Sequence, residues 1–384
     1  MSPTWIETHQ YVFDPSEAVS GNKVRILCDG PQIFEAIFDA IESARYRIAL
    51  EIYEFAPDET GRKVRDALVS AARKGIQIKL IYDSIGSLFT DREFFSPLKT
   101  LGGEVMEYHP LKPWQPHWRW IKRNHRKMLI IDAERAIIGG FNISDPYRYA
   151  PDHMGYHDLA VEVKGPACGQ AWALFHETWR KGEKPKPFSG TDQRTRRREL
   201  LQGDQTVHIV GNDHFTDRWR IRRLILYAIS QAKHSINITN PYFLPDPAMI
   251  NSLVDAVRRG VHVRVLVPSK TDVGILDTAS TLVQHRLVRK GVEVHRWPGF
   301  AHGKAIEIDR LWISVGSFNF DYRSVFHNLE IVVHATDEAC GSRLRDILDA
   351  DIRTSRQVHE QDWKQMPLVS RLLARLLYRL RALL

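Results

Sequence analysis

The chain has 384 residues, of which 43% are apolar and 26% charged, and its formal net charge is +8. That length holds two domains or one duplicated domain, and the composition is ordinary for a globular protein with a core of normal size. The positive balance favours anionic partners, whether nucleic acid, phospholipid head groups or small phosphates, and does not separate them.

In chain order, residues Met1 to Asp29 carry Glu7, Asp14 and Glu17 without an apolar run, so no signal peptide is expected there. No stretch of 18 apolar residues follows, so no membrane span is expected. Cys28, Cys168 and Cys340 are far apart and odd in number, which argues against a disulfide framework and against a zinc site. An apolar segment, Tyr46 to Phe55, precedes a helix-like stretch ending Leu68 to Gly75 and an alternating strand from Ile76 to Tyr82. The same order returns as Ser235 to Tyr242, Leu253 to Gly260 and Val261 to Val267. Gly75 and Gly260 stand where a helix C-cap belongs. Leu101 to Tyr108 also matches Lys290 to Trp297. Strands alternating with helices imply α/β layers, and two such units imply an internal duplication. Lys181 to Gln202, rich in Pro, Gly, Ser and Arg, reads as a connector; its run Arg194 to Arg198 is either solvated linker or a phosphate-facing patch. The expected organisation is a first repeat over 1–180, a connector over 181–202, a second repeat over 203–350 and a tail over 351–384.

The chemistry sits in a repeated motif. His125-Arg-Lys127 is followed by Asp132 and by Gly139-Gly140-Phe-Asn142. His302-Gly-Lys304 is followed by Asp309 and by Gly316-Ser317-Phe-Asn319. Asn142 stands 17 residues after His125, and Asn319 stands 17 after His302. One H-x-K-x4-D arises by chance roughly 0.05 times per chain, so two with matching asparagines are no coincidence. If the apolar run after each lysine is a strand, His and Lys share a face. By the same parity Asp132 and Asp309 point to the other face and bond turn amides or a nearby cation rather than substrate. The lysines supply charge and the asparagines donors for phosphate oxygens. One imidazole can attack phosphorus while the other protonates the leaving oxygen, with the site lying between the halves. Two ammonium groups can do the neutralising that a metal does elsewhere, so neither metal nor cofactor is expected.

Each histidine also needs an acceptor for its second nitrogen. Asp158, after His157, and Glu330, after Asn328 and Leu329, each head an apolar strand and are the candidate acceptors. Glu51-Ile-Tyr53 and Asn240-Pro-Tyr242 occupy matching strand ends, expected to line the pocket or cap the sheet. Trp114, Trp118 and Trp120 interleave with basic residues over 112–123, which suits an anionic lipid interface, single-stranded nucleic acid or a loop packed on the lobe. From Leu368 to Leu384 every Leu and Val falls in one half-turn arc. Arg371, Arg375 and Arg381 lie opposite, and Arg379 sits at the edge. This basic amphipathic helix either lies in a membrane interface or docks its leucines on the core.

The paired motifs resemble the phospholipase D superfamily. The run from His302 to Ser324 with Asn328 and Glu330, together with Gly139 to Asp145 and Val163 to Pro166, is similar to bacterial cardiolipin synthases over roughly Val24 to Leu380, of the short kind without two N-terminal transmembrane helices. The resemblance implies two α/β sandwich lobes about a pseudo-two-fold axis with one active site between them. It implies phosphatidyl transfer to cardiolipin from phosphatidylglycerol and a second phospholipid, by ping-pong through a phosphohistidine. It further implies His125 as nucleophile and His302 as acid, then base; the motifs alone do not say which histidine attacks. It implies anionic phospholipids, phosphatidylglycerol and cardiolipin, as partners. It also implies peripheral attachment at the cytoplasmic face of a bacterial inner membrane, with no nucleic acid. Transfer and hydrolysis differ only in which hydroxyl reaches the intermediate, so a hydrolytic phospholipase D or a phosphodiesterase or nuclease of the superfamily stays open.

Overall fold

A computed structural model describes residues 10–111, 118–150, 155–182, 201–213 and 217–382, without the side chains of residues 118, 119, 181 and 182. Much of the expected connector, including Arg194 to Arg198, lies outside the described residues.

The first half runs β1 (Val19–Cys28), α1 (Asp29–Glu42), β2 (Arg47–Ile52), α2 (Glu59–Arg73), β3 (Gln77–Asp83), β4 (Glu104–Tyr108), β5 (Met128–Ile131), β6 (Arg135–Gly139), β7 (Leu159–Lys164) and α3 (Cys168–Gly182). The second runs β8 (Gln205–Gly211), α4 (Arg220–Gln231), β9 (Ser235–Thr239), α5 (Pro247–Arg258), β10 (His262–Pro268), α6 (Gly274–Val288), β11 (Glu293–Trp297), β12 (Ala305–Ile308), β13 (Trp312–Gly316), β14 (Ile331–Thr336), α7 (Glu338–Thr354), β15 (Arg356–Gln357) and α8 (Leu368–Arg379).

The strands lie in the order β15-β11-β10-β9-β12-β13-β14-β8-β1-β7-β6-β5-β2-β3-β4. Read outward from the β1–β8 junction, the two halves have the same order, so the duplication is one of topology. In each half three strands are parallel, β2-β3-β4 and β9-β10-β11, and the motif hairpins β5-β6 and β12-β13 are antiparallel. The inner parallel strands β2 and β9 are buried on both faces, which is why their sequences read as apolar runs. Local signals fix the crossovers. Asp58 caps α2 through the amide of Gly61 at 2.9 Å, and Asp246 caps α5 through that of Ala248 at 2.8 Å with Pro247 following. Gly75 and Gly260 then turn the chain with φ of 85° and 88°, a conformation that costs a side chain strain.

Each half has its own apolar core, and a third core lies between them. There Ile130, Ile138 and Val161 of the first half meet Val207, Ile313 and Val333 of the second. Strands β6 and β7 pack on β13 and β14, which brings the loops leading into the two motifs together.

Two helices cross the expected boundaries. Helix α3 continues through Lys181 and Gly182, which belong to it rather than to the connector. Helix α7 runs to Thr354, past the expected end of the second repeat at 350, and its Asp351 is held by His157 of the first half.

Candidate active site

The two motifs meet through a pair of crossed bridges. Asn124 pairs with Leu329, and His157 pairs with Ala301, each bridge joining one half to the other. The amide of His125 donates to the Leu329 carbonyl at 2.9 Å, and that of His302 to the His157 carbonyl at 2.7 Å. These bonds aim the imidazoles across the seam. His125 Nδ1 lies 3.0 Å from both carboxylate oxygens of Glu330, and His302 Nδ1 lies 3.0 Å from Asp158 Oδ2. Each histidine is thus oriented by a carboxylate of the opposite half. A carboxylate on Nδ1 fixes that nitrogen as the donor and leaves the lone pair on Nε2.

The two orienting carboxylates are held differently. Glu330 also accepts from the hydroxyls of Ser317 and Ser324 and, at 3.5 Å, from Asn328. Asp158 accepts from His302 and from the Leu159 amide at 2.7 Å. The glycine at 140, where the second half has Ser317, gives Asp158 its room. A Cβ there would stand 2.3 Å from Asp158 Oδ1.

Around the rings are both lysines and three aromatic residues. Lys127 Nζ donates to the His125 carbonyl at 3.1 Å and sits 5.1 Å above the Tyr53 ring, which meets His125 edge-on at 5.1 Å. Lys304 Nζ lies 2.9 Å from His302 Nε2, and the Tyr147 hydroxyl lies 3.3 Å from the same atom. Phe300 packs edge-on to His302 at 5.5 Å. Among the described residues, the His125 ring bonds only through Nδ1, and Nε2 takes no hydrogen bond.

Burial dominates the titration of these groups. It lowers His125 to about 4 against the pull of Glu330, and Lys127 adds to the lowering. Burial and the Lys304 ammonium bring His302 to about 3. Lys127 falls to about 7 and Lys304 to about 8, again chiefly by burial. Both imidazoles are therefore neutral, and the Nε2 lone pair of His302 faces Lys304 and Tyr147. An anion bound between the lysines would raise these values, since opposite charge favours every cationic form nearby.

The motif aspartates lie at the far end of their hairpins. Asp132 accepts from the amides of Arg45, Tyr46 and Arg47 at 2.8–2.9 Å. Asp309 accepts from those of Lys233, His234 and Ser235 at 2.7–2.8 Å and from the Tyr11 hydroxyl at 2.6 Å. His125 and Lys127 precede β5, and Asp132 follows it in a turn at φ 55°, so separation along the hairpin, not strand parity, keeps it from the imidazole. Asn142 Oδ1 accepts from the Glu54 amide at 3.2 Å, while Asn319 Oδ1 is buried with no partner among the described residues. Tyr53 reaches the site. Glu51 does not: fully buried, it accepts from Asn124 Nδ2 at 2.7 Å beneath the motif loop.

Other supports escaped the sequence reading. Arg126, buried between the halves, donates to the carbonyls of Asn212 at 2.7 Å and Glu330 at 3.3 Å and to Thr178 Oγ at 3.0 Å. Arg123 holds Asp83, whose other oxygen accepts the Asn124 amide at 2.9 Å. His157 donates from Nδ1 to Asp29 at 2.6 Å and from Nε2 to Asp351 at 2.9 Å. Burial opposes its charge, yet the two carboxylates prevail and raise it to about 10. Cys28, Asp29 and His157 place ligand-type atoms within 4.8 Å of one another, and here the two His157 nitrogens face Asp29 and Asp351. The only sequence signal for these residues was their nearness to the motifs.

Of the expected interface residues, Trp114 and the Trp118 side chain lie outside the described residues, and Trp120 is exposed. Arg375 and Arg379 are exposed too. Arg371 is half-buried, so it does not belong to an open basic face. Among the described residues no helix is long and apolar enough to cross a membrane.

The profile of the family described as cardiolipin synthase, PLD-like domain matches residues 37–179 and 225–352, both motifs included. The chain belongs to this family. Within this cardiolipin synthase-type phospholipase D family, it is similar to cardiolipin synthase A of Pseudomonas entomophila, 31% identical over 90% of this chain and 71% of that one. It is also similar to the major cardiolipin synthase ClsA of Bacillus subtilis, 30% identical over 93% and 76%. The crystal structure of a phosphatidylserine synthase from Haemophilus influenzae shares the duplicated fold, with a TM-score of 0.70 at 14% identity over 94% of this chain and 93% of that one.

Proposed function

We propose that the chain is a phosphatidyl transferase that forms cardiolipin from phosphatidylglycerol and a second phospholipid through a phosphohistidine. One observation carries this reading: two neutral imidazoles, each anchored at Nδ1 by a carboxylate of the other half, stand with both lysines in one buried site of a cardiolipin synthase-type chain. His125 Nε2, which takes no hydrogen bond among the described residues, attacks phosphorus. The bond from phosphorus to the glycerol oxygen breaks, and the cationic form of His302 gives that oxygen its proton. Neutral His302 then takes the proton from the hydroxyl of the second lipid. That oxygen attacks phosphorus, and the phosphorus–nitrogen bond to His125 breaks. Lys127, Lys304, Asn142 and Asn319 stabilise charge on the non-bridging oxygens. Asp158 and Glu330 hold the rings, and Asp132 and Asp309 hold the turns.

The enzyme works on anionic lipid at the cytoplasmic face of the bacterial inner membrane, attached peripherally, with Trp114, Trp118, Trp120, Arg375 and Arg379 as contacts. The test is mass spectrometry of lipids after incubating the pure protein with phosphatidylglycerol vesicles. Cardiolipin and free glycerol are expected. Phosphatidate as the sole product would make the enzyme a hydrolase and overturn the proposal.

A further inference from the structure

The last helix, α8, divides into two faces. Ala374, Leu377 and Tyr378 are buried in the core of the second half against α6, with the Arg286 guanidinium 4.9 Å from the Tyr378 ring centre. The helix is therefore fixed to the protein, and the way it is fixed decides what remains outside. Leu368, Val369, Leu372, Leu373, Leu376 and, just past its end, Leu380 are between 41% and 76% exposed. At about 100° per residue these six fall in one contiguous arc on the side away from the anchor. Six large apolar side chains side by side on one helix exceed the scattered exposure normal for a protein surface. The sequence left two outcomes open, leucines in a membrane or leucines on the core, and the helix divides between them: Leu377 is docked and these six are exposed.

We propose that this face is a docking surface for an anionic phospholipid bilayer. Arg375 and Arg379 are exposed and border the leucine arc on one side, and no acidic residue occurs from Leu368 to Leu384. Such a margin complements anionic head groups. A second copy fits less well, since pairing the faces would bring these arginines together with no acidic residue on either helix to receive them. At 12 residues α8 is about 18 Å long, short of the ~30 Å hydrocarbon core, so it lies in the interface plane with the leucines sunk into the acyl boundary. The proposal rests on the lipid-enzyme reading only for its purpose, because the surface stands on its own contacts.

The test is sedimentation of the full chain with vesicles of equimolar phosphatidylglycerol and phosphatidylcholine, or of phosphatidylcholine alone. Three proteins are compared: wild type, the triple variant Leu368→Ser, Leu372→Ser, Leu376→Ser, and the double variant Arg375→Gln, Arg379→Gln. Wild type binds the anionic vesicles, less well as salt rises. The triple variant binds roughly tenfold or more weakly. The double variant loses about fivefold per arginine at low salt, with no effect on neutral vesicles. Melting temperature stays at the wild-type level in both, as does turnover of short-chain phosphatidylglycerol in solution by the triple variant. Unchanged vesicle binding by the triple variant overturns the proposal. So does early melting, which would show the leucines packed, or a halved mass in solution, which would show a dimer face. If wild type binds as expected yet turns over no short-chain lipid, the activity reading fails and the docking surface stands.

Discussion

Replacing His157 with glutamine probes the strut beneath the site. The imidazole is buried between Asp29 of the first half and Asp351 of the second, at 2.6 and 2.9 Å, and stacks on Trp297 with ring centres 4.9 Å apart. Its carbonyl receives the His302 amide, so the strut carries the second histidine. The group is raised from an unfolded value near 6.5 to about 10. Because the folded value is the higher, its stabilisation is complete below about pH 6.5 and is lost as pH climbs through about 10. The full shift corresponds to about 5 kcal/mol. The Asp29 side chain, 26% exposed, keeps part of its hydration, so about 2–3 kcal/mol is the expected loss for His157→Gln near neutrality. Thermal melts of both proteins from pH 6 to pH 10 measure it. The gap in melting temperature should be widest at pH 6–7 and close toward pH 10. A gap that stayed constant or widened would refute the clamp.

Asp158→Asn and Glu330→Gln should each lower turnover by about 10³ while melting stays closer to wild type, since each amide presents the wrong partner to a ring N–H; equal losses of activity and stability would count against the orienting role. Asp132→Asn should do the reverse, costing about 1–3 kcal/mol in a denaturant melt because one oxygen can still accept from Tyr46 and Arg47 while an amide nitrogen faces the Arg45 N–H, with the folded fraction still active. With Lys127 lowered to about 7 and Lys304 to about 8, the free enzyme sheds positive charge as pH rises through that range. For a soluble short-chain substrate kcat/KM should therefore fall about tenfold per pH unit on the alkaline side; a flat profile to pH 10 would show that the lysines do not set phosphate capture.

The duplication was legible because it repeats residue types with strong local meaning: apolar runs for buried strands, capping glycines, and two H-x-K-x4-D motifs at one spacing. Asp158 and Glu330 were legible as carboxylates at strand heads. Their crossing was not, because nothing local tells a carboxylate which half holds its histidine; the crossing comes from the bridges Asn124–Leu329 and His157–Ala301. Asp132 shows how strand parity misleads: the apolar run ends at Ile131, and a turn residue at positive φ obeys no strand period. Arg126 and His157 were hidden for a related reason. A charged residue beside a motif reads as a solvated neighbour until tertiary structure supplies the carbonyls and carboxylates that bury it.

The central claim is a covalent phosphohistidine formed by one imidazole and resolved with the help of the other. The direct measurement is to quench the enzyme during turnover of phosphatidylglycerol labelled with radiophosphorus, map the labelled peptide, and repeat with His125→Ala and His302→Ala. The account predicts acid-labile label on a single histidine, His125, in the wild type, no label in His125→Ala, and no turnover in either variant. Full turnover in either variant, or wild-type turnover with no protein-bound label, would contradict it.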